Sequence, residues 1–218
     1  MAASTRGAGA HEPDLTAEAA LHQGGFRIVA GVDEAGRGAW AGPLVAGAVI
    51  LTANPDASPA DWAGVRDSKM MTHEQREAVF ALIVGRALAV GVGAVAPDEI
   101  DLLGLTAANE LAMARAVRAL PVPPTALLVD AFTLPSVALP QRALIRGDAR
   151  SRSIAAASIV AKVTRDRQMA ALANEFPGYG FEQHRGYGVA IHQEALATLG
   201  PSPIHRLSYA PLRALAGA

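Results

Sequence analysis

Val32–Gly47 reads VDEAGRGAWAGPLVAG. Its glycine-rich turn, Ala35–Pro43, separates two apolar runs, FRIVAG at Phe26–Gly31 and LVAGAVIL at Leu44–Leu51. Short apolar runs that contain β-branched residues and are bounded by glycine are typical of buried strands. The glycine spacing is not G-x-G-x-x-G, and a strand rather than a helix follows the turn, which excludes a dinucleotide-binding fingerprint. The stretch therefore predicts two neighbouring strands joined by a glycine-rich turn.

The chain on either side of this turn predicts one mixed sheet with helices around it. Further strands are predicted at residues 89–96, 126–129 and 143–145, and helices at residues 72–88, 105–120, 154–176 and 189–199. The predicted strands lie mainly in the first part of the chain and the predicted helices mainly in the later part, around one mixed sheet, which indicates an α/β fold. No repeat or linker divides the chain, so we predict a single domain over residues 26–218. Residues 1–25 are small and polar, and we predict a disordered leader there.

The composition excludes several kinds of protein. The chain has no cysteine, which excludes a disulfide scaffold, a thiolate zinc site and a cysteine nucleophile. No apolar run approaches the roughly 20 residues that cross a bilayer, and the first residues do not resemble a signal peptide. We therefore expect a cytoplasmic protein, and a monomer by default.

Basic residues are concentrated in one segment, although the net charge of the chain is −1. Residues 142–167 contain seven arginines and lysines and two aspartates, so this segment carries +5 and the rest of the chain −6. A basic patch beside an acidic remainder suits a protein that holds phosphates next to carboxylates. An ordinary solvated helix face is the alternative interpretation.

Acidic residues stand at the ends of the predicted strands. Asp33 and Asp130 each follow an apolar run, Asp148 follows a third, and Glu34 is next to Asp33. Functional side chains collect at strand ends, although single acids there more often cap helices or lie in water. If the four converge, they repel one another unless a cation is bound. Oxygen ligands suit Mg²⁺ or Mn²⁺, and two such ions stabilise phosphoryl displacement.

Several ordered motifs resemble the ribonuclease HII family. Residues 31–38 read GVDEAGRG and residues 41–43 read AGP, which match the signature of that family. The resemblance continues through DSK at 67–69, GD at 147–148, SIAAASIVAKVTRD at 153–166, GYGFEQHRGYG at 178–188 and GPSPIHR at 200–206. It covers residues 26–212 and implies a ribonuclease H-like α/β fold, with a mixed central β-sheet flanked by helices and a small helical C-terminal part.

The resemblance implies an endoribonuclease with divalent metal ions as cofactors. Such an enzyme hydrolyses the RNA strand of RNA–DNA hybrids and cuts 5′ of ribonucleotides embedded in duplex DNA, leaving 5′-phosphate and 3′-hydroxyl ends. The implied cofactor is Mg²⁺ or Mn²⁺, with two ions during catalysis. The residues implied to be both catalytic and metal-binding are Asp33, Glu34, Asp130 and Asp148.

The resemblance also implies a substrate-binding set. Gly36, Arg37 and Gly38 would read the 2′-hydroxyl group, by which a protein distinguishes RNA from DNA. Tyr187 would pack against the nucleotide beyond the junction. The cations implied to contact phosphates are Lys69, Lys162 and Arg165.

Two other functions stay open from the residues alone. One is an endonuclease V-like enzyme on the same fold, against which the intact Gly-Arg-Gly argues. The other is a non-catalytic hybrid-binding module, against which the four acids argue, because clustered carboxylates weaken phosphate binding unless they hold metal.

Ala131 stands where the family often has glycine. Leu212–Ala218 carries no clear clamp-binding motif, and His184 either orders its loop or takes part in catalysis.

Overall fold

The centre of the molecule is a five-stranded mixed sheet. A computed structural model describes residues 12–54, 56 and 58–216. The strands, in chain order, are β1 (Val29–Ala35), β2 (Leu44–Ile50), β3 (Ala89–Val95), β4 (Ala126–Asp130) and β5 (Gln141–Leu144). Their order across the sheet is β3-β2-β1-β4-β5. The pairs β1–β2 and β2–β3 are antiparallel, whereas β4 runs parallel to both β1 and β5.

Helices cover both faces of this sheet. They are α1 (Thr16–Gln23), α2 (His73–Arg86), α3 (Pro97–Leu103), α4 (Leu105–Arg118), α5 (Arg152–Glu175), α6 (Phe181–His184), α7 (Ala190–Leu199) and α8 (Ala210–Ala216). The predicted capping box of α2 is present, with Thr72 and Gln75 each accepting from the other's backbone amide. The α/β prediction, with a mixed sheet and a helical C-terminal part, is confirmed. No helix among the described residues is both long and apolar enough to cross a membrane.

Helix α5 lies unusually close to the sheet because small residues face each other across the contact. A Cβ atom on Gly31 of β1 would stand 2.2 Å from the carbonyl carbon of Ser153, and one on Gly47 of β2 would stand 2.5 Å from the carbonyl oxygen of Ala157. Only glycine allows this approach. The close packing fixes the start of α5, and therefore the turn before it, relative to β1.

Helix α4 packs on the opposite face of the sheet, and glycines again allow the close approach. A Cβ atom on Gly91 or Gly93 of β3 would stand 2.2 Å from a carbonyl oxygen of α4, that of Ala116 or of Ala112. The apolar core between α4 and the sheet includes Val32 of β1 and buried residues of β2, β3 and β4. The two helices therefore hold β1 from both sides, at the strand that carries the first two predicted site residues.

Strand β1 extends further than the sequence predicted. Asp33 and Glu34 were expected to follow the strand, but β1 continues to Ala35, with Glu34 paired to Ala46 and Ala35 paired to Val45. The antiparallel ladder with β2 carries on until Gly36 turns the chain. The side chains of the two acids consequently leave the strand on opposite faces. At the strand end Glu34 still lies near enough to Asp33 to contribute, after burial, to the rise of the Asp33 pKa.

The prediction of disorder up to residue 25 is wrong for the part of the leader that the structure describes. Helix α1 docks on the start of α5, where the buried Glu18 carboxylate accepts hydrogen bonds from Ser151 Oγ at 2.7 Å and from the Ser153 amide at 2.8 Å. The second bond satisfies one of the backbone amide groups that a helix start leaves free. Residues 1–11 lie outside the described residues, and the single-domain assignment stays a prediction.

Candidate active site

Asp33 and Asp130 lie on the same face and at the same edge of the sheet. Their strands are parallel neighbours, paired from Val29–Ala126 to Val32–Val129, so the two aspartates come next in register. Alternation along each strand directs both toward the α5 side. Asp33 is buried, and its Oδ1 accepts from the Glu34 amide at 2.8 Å. The sequence argument for convergence of these two strands is therefore supported by their register.

A short turn adds Asp148 to this edge. Gly147–Ala149 forms a 3₁₀ turn between β5 and α5, and its Gly147 amide donates to Asp130 Oδ1 at 2.6 Å. Asp148 is buried beside it. The hydrogen bond ties the turn to β4 and keeps Asp148 next to the strand carboxylates.

Lys69 lies over the same carboxylates. Its Nζ stands 3.1 Å from Asp148 Oδ2, and its loop is anchored to α5 by a 2.7 Å hydrogen bond between Ser68 Oγ and Ser158 Oγ. Burial alone would lower the pKa of Lys69, but the attraction and hydrogen bond of Asp148 outweigh it and raise that pKa. Lys69 is therefore a fixed cation of this site, and Ser158 holds the Lys69 loop.

The clustered carboxylates carry an electrostatic penalty. Burial, followed by repulsion from Glu34 and Asp130, raises the pKa of Asp33 well above 3.8. Burial also raises the pKa of Glu34, with Arg37 opposing the shift, and burial raises the pKa of Asp130. Such crowding is unfavourable for structure alone and favourable where a cation is to be bound.

The donor set fits a hard divalent cation. Within the described residues, no three carboxylate or imidazole groups already stand at ligating positions around one point. All the converging groups are nevertheless carboxylates, the oxygen donors that Mg²⁺ and Mn²⁺ prefer, and Asp148 already holds a cationic partner in Lys69. Charge and donor type therefore both suit a metal held by Asp33, Glu34, Asp130 and Asp148.

Asp33→Asn should stabilise the metal-free protein at neutral pH. Because folding raises the pKa of Asp33, the folded state loses stability as pH rises from the ordinary value of 3.8 through the raised one. Because asparagine does not ionise, the variant does not lose this stability as pH rises. Thermal melts in EDTA should show a higher Tm for the variant at neutral pH and a smaller gain in acidic buffer. Glu194→Gln, an exposed carboxylate of α7, is the control, and a neutral-pH Tm at or below the parent's contradicts the repulsion.

The Gly36–Gly38 turn is held from inside by two buried arginines. Arg206 donates to the carbonyl oxygens of Gly36 at 2.7 Å, Arg37 at 3.1 Å and Gly42 at 2.9 Å. Arg165 donates to the carbonyl oxygens of Ala41 and Pro43, and a Cβ atom on Gly36, whose φ is +88°, would stand 1.9 Å from its Nε. Gly36 is thus required by both conformation and space.

This arrangement changes the role expected for Arg165. A phosphate contact was predicted, but the residue is fully buried, and two of its guanidinium nitrogens donate to the carbonyl oxygens of Pro43 and Ala41, which follow the turn. A buried guanidinium bonded to backbone carbonyls positions the turn and does not reach solvent. The sequence missed Arg206 as a functional residue, although it lies in the closing GPSPIHR motif.

The outer side of the turn faces solvent next to the carboxylates. Arg37 and Gly38 are exposed, and Arg37 Nη1 lies 3.9 Å from Glu34 Oε1. Glu34 also lies beside the buried Asn109 of α4, which partly opposes the rise of the Glu34 pKa. Neither amide atom of Asn109 has a hydrogen-bond partner among the described residues. Asn109 was not predicted, because a lone asparagine in a helix gives no signal in the sequence.

Tyr187 lies on a loop that is fastened to the same turn. Gly186 accepts from the Trp40 amide at 2.8 Å, and the Tyr187 ring is 37% exposed. Lys162 Nζ is 5.9 Å from the ring centroid and also bonds Asp166 Oδ1 at 2.7 Å. The structure therefore places an accessible aromatic ring and a partly buried lysine beside the Gly36–Gly38 turn.

A pair of buried histidines supports the Tyr187 backbone. His192 Nδ1 lies 3.0 Å from the Tyr187 carbonyl oxygen and must donate to it, while its Nε2 lies 3.0 Å from His205 Nε2. His205 Nδ1 accepts from the Ser202 amide at 2.8 Å. Burial lowers the pKa of both rings, that of His205 to about 4. The neutral pair is a structural support for the Tyr187 loop.

His184 belongs to the same support. Its Nδ1 accepts from the Gly186 amide at 3.2 Å, and its Nε2 lies 2.7 Å from the Tyr179 carbonyl oxygen. Both ring nitrogens therefore have backbone partners within the loop. This placement favours the loop-ordering role over the catalytic one.

Comparison with known proteins identifies the family of this site. A family model described as ribonuclease HII matches residues 30–212. The chain belongs to the ribonuclease HII family. The ribonuclease HII of Chloroflexus aurantiacus is 52% identical over 200 residues, spanning 92% of this chain and 94% of that protein. That of Geobacillus kaustophilus is 52% identical over 196 residues, spanning 90% of this chain and 73% of that protein.

Solved structures of ribonucleases H2 and HII have the same fold. The Pyrococcus horikoshii ribonuclease H2 superposes with a TM-score of 0.73 at 29% identity, covering 87% of this chain and 97% of that one. The Archaeoglobus fulgidus ribonuclease HII, solved in complex with PCNA, gives 0.63 at 25% identity, covering 84% and 95%. Membership of the ribonuclease HII family confirms the predicted enzyme class, a metal-dependent endoribonuclease, in preference to the endonuclease V-like and non-catalytic alternatives.

The backbone conformation at residue 131 explains why the ribonuclease HII pattern often has glycine there, where this chain has alanine. Ala131, directly after Asp130, has φ +63°, a left-handed conformation in which glycine is unstrained. The other two non-glycine residues of positive φ among those described are Arg146, before Gly147, and Arg185, before Gly186. All three adjoin ribonuclease HII site elements, where backbone strain is commonly concentrated.

Proposed function

We propose that this ribonuclease HII hydrolyses the RNA strand of RNA–DNA hybrids and cuts on the 5′ side of ribonucleotides embedded in duplex DNA. The products would carry 5′-phosphate and 3′-hydroxyl ends. Two Mg²⁺ or Mn²⁺ ions, held by Asp33, Glu34, Asp130 and Asp148, would supply an activated water and stabilisation of the leaving 3′-oxygen.

One observation carries this proposal: the four carboxylates stand beside a rigid, solvent-facing Gly-Arg-Gly turn. Burial, followed by repulsion from Glu34 and Asp130, raises the pKa of Asp33. The turn is fixed by hydrogen bonds that the buried Arg165 and Arg206 donate to its carbonyl oxygens and to those of the residues that follow it. A reaction centre and a surface that can read the sugar are therefore held at a constant separation, which is the requirement for cutting at a defined sugar.

The side chains around the carboxylates have separate proposed tasks. The backbone of Gly36 to Gly38 would bind the 2′-hydroxyl and adjacent sugar, and Arg37 would bind a phosphate through its planar guanidinium. Tyr187 would place its ring against the sugar of the following nucleotide and so test its shape. Lys69 and Lys162 would neutralise phosphates on either side of the cleavage position.

The proposal is tested by cleavage of a labelled DNA duplex that carries one ribonucleotide, with Mg²⁺, with Mn²⁺ and with EDTA. We expect a single metal-dependent cut on the 5′ side of the ribonucleotide. Cleavage of a continuous RNA–DNA hybrid without cleavage of this duplex would contradict the reading of the 2′-hydroxyl by the turn. A duplex with inosine in place of the ribonucleotide should stay intact, and its cleavage would revive the endonuclease V-like alternative.

Cytoplasmic location and a monomeric state stay predictions. The complex with PCNA belongs to the Archaeoglobus fulgidus protein.

A further inference from the structure

Three exposed arginines beside the active site have no partner in the part of the chain that the structure describes. Arg142 lies in β5, Arg146 ends the loop after it, and Arg150 follows the turn that carries Asp148. None of the three guanidinium groups forms a hydrogen bond or an ion pair with a described residue, whereas Arg152 and Arg165 of the same basic segment are buried and bonded to carbonyl oxygens. The tertiary structure thus divides the basic segment into structural arginines and free ones.

The free arginines adjoin the catalytic edge of the sheet. Strands β4 and β5 are parallel, so the end of β5 lies next to the end of β4, where Asp130 stands. Arg146 directly precedes Gly147, whose amide bonds Asp130. Its left-handed φ of +54° sets the direction in which the chain enters the Asp148 turn. The arginine surface is therefore continuous with the candidate active site.

A groove runs between this surface and the loop that carries Lys69. It encloses about 620 Å³ and is lined on one side by Ile145, Arg146 and Arg150 and on the other by Arg66, Asp67 and Met70. Glu12 also lines it, and the Asp67 carboxylate is already engaged by the Lys69 amide at 2.9 Å. Two large apolar side chains stand open on its walls, since Ile145 is 75% exposed and Met70 is 66% exposed.

We infer that this groove, with Arg146 and Arg150 on its wall and Arg142 next to Arg150 in the adjoining pocket, binds the phosphate backbone of the substrate duplex beyond the cleavage position. Guanidinium groups bind phosphate oxygens in a fixed fork, and exposed apolar side chains suit the faces of sugars between phosphates. The inference rests on the proposed function, since it assumes that the bound polymer is a duplex. An acidic protein segment is the competing occupant, and continuity with the carboxylate site favours nucleic acid.

The test compares two triple variants of equal charge. The first is Arg142→Gln with Arg146→Gln and Arg150→Gln. The matched control is Arg86→Gln with Arg118→Gln and Arg213→Gln, three exposed arginines outside the groove. Each set is also placed in the Asp130→Asn background, and binding to a long hybrid duplex is measured in EDTA by fluorescence anisotropy over a range of salt concentrations. Melting curves check folding, and the double variant Arg142→Gln with Arg150→Gln avoids the strained position 146.

We expect weaker binding for the groove variant and a salt slope reduced by about 0.9 for each phosphate that is no longer neutralised, so by roughly 2 to 3 in all. With Asp130 intact, KM for the long duplex should rise while kcat stays unchanged. A short duplex that reaches only the carboxylates should be cut as by the parent. The control variant should lose only the small amount of affinity and salt slope that follows from its lower net charge.

Equal affinity and equal salt slope for the groove variant and the control would overturn the inference and leave an acidic protein as the occupant. This outcome is distinguishable from failure of the proposed function. If the parent binds the duplex but never cuts it, the proposed function fails while weaker binding by the groove variant still supports the groove. If the parent cuts normally and both variants bind alike, the groove inference alone fails.

Discussion

Asp130→Asn should abolish cleavage while leaving the fold intact. Asparagine keeps an oxygen that can accept from the Gly147 amide, as Asp130 Oδ1 does at 2.6 Å, so the Asp148 turn stays tied to β4. It removes a negative charge from a cluster whose proposed task is to hold divalent cations. We expect a fall in kcat of roughly 10³-fold or more, equivalent to about 4 kcal/mol of transition-state stabilisation. The measurement is single-ribonucleotide duplex cleavage in Mg²⁺ and in Mn²⁺.

The control for Asp130→Asn is Asp98→Asn, an exposed aspartate in the first turn of α3. Both variants lose one carboxylate, and only the first loses it from the cluster. Turnover by Asp130→Asn close to that of the control would defeat the assignment of Asp130. A collapsed melting curve for Asp130→Asn would instead indicate that asparagine does not replace the bond to Gly147.

Arg206→Met should have the largest effect on stability. The substitution removes the donor shared by the carbonyl oxygens of Gly36, Arg37 and Gly42, and each hydrogen bond from a charged group contributes about 1.5–3 kcal/mol. Gly36 and Arg37 keep bonds from the Ala39 amide and the Tyr209 hydroxyl, so the loss falls most heavily on Gly42. We expect a loss of roughly 4 kcal/mol or more, and a fall in melting temperature of about 10 °C or more for a domain of this size. In the protein that still folds, displacement of the turn should lower cleavage by roughly 10²-fold.

The matched control is Arg213→Met, which removes an exposed arginine from α8. Its melting temperature should stay near that of the parent, because no buried carbonyl depends on it. The measurements are thermal unfolding and ribonucleotide-duplex cleavage below the melting temperature of each variant. An Arg206→Met protein that melts and cuts as the control does would show that the turn holds its shape without this arginine.

The candidate site was predictable where its residues are adjacent in the chain or end a clear strand. The apolar runs before Asp33 and Asp130 predict two strands, and parallel pairing of β1 and β4 then places the two aspartates together. The Gly36–Gly38 turn was predictable because its glycines closely follow Asp33 and Glu34. The motif resemblance added Tyr187, whose position beside the turn depends on contacts distant in sequence.

Other features could not be read from the chain. Arg165 and Arg206 both lie in matching motifs, and only the tertiary structure shows that they are buried. Arg206 donates to the Gly36 carbonyl of the turn, and Arg165 donates to the Pro43 carbonyl after it. The leader composition suggested disorder, yet Glu18 caps the start of α5 across 135 residues of sequence. Such roles depend on which distant backbone groups lack partners, a property that local patterns do not carry.

The sequence by itself determined the α/β fold, the ribonuclease HII resemblance and the four acids, because strand periodicity, glycine turns and contiguous motifs are local properties. The tertiary structure alone decided which cations are free. Arg142, Arg146 and Arg150 face solvent, whereas Arg152 and Arg165 are buried within the same segment. The physical reason is that a charge costs little in water and must be paired inside the protein, and only the packing of α5 against the sheet decides which arginines are inside.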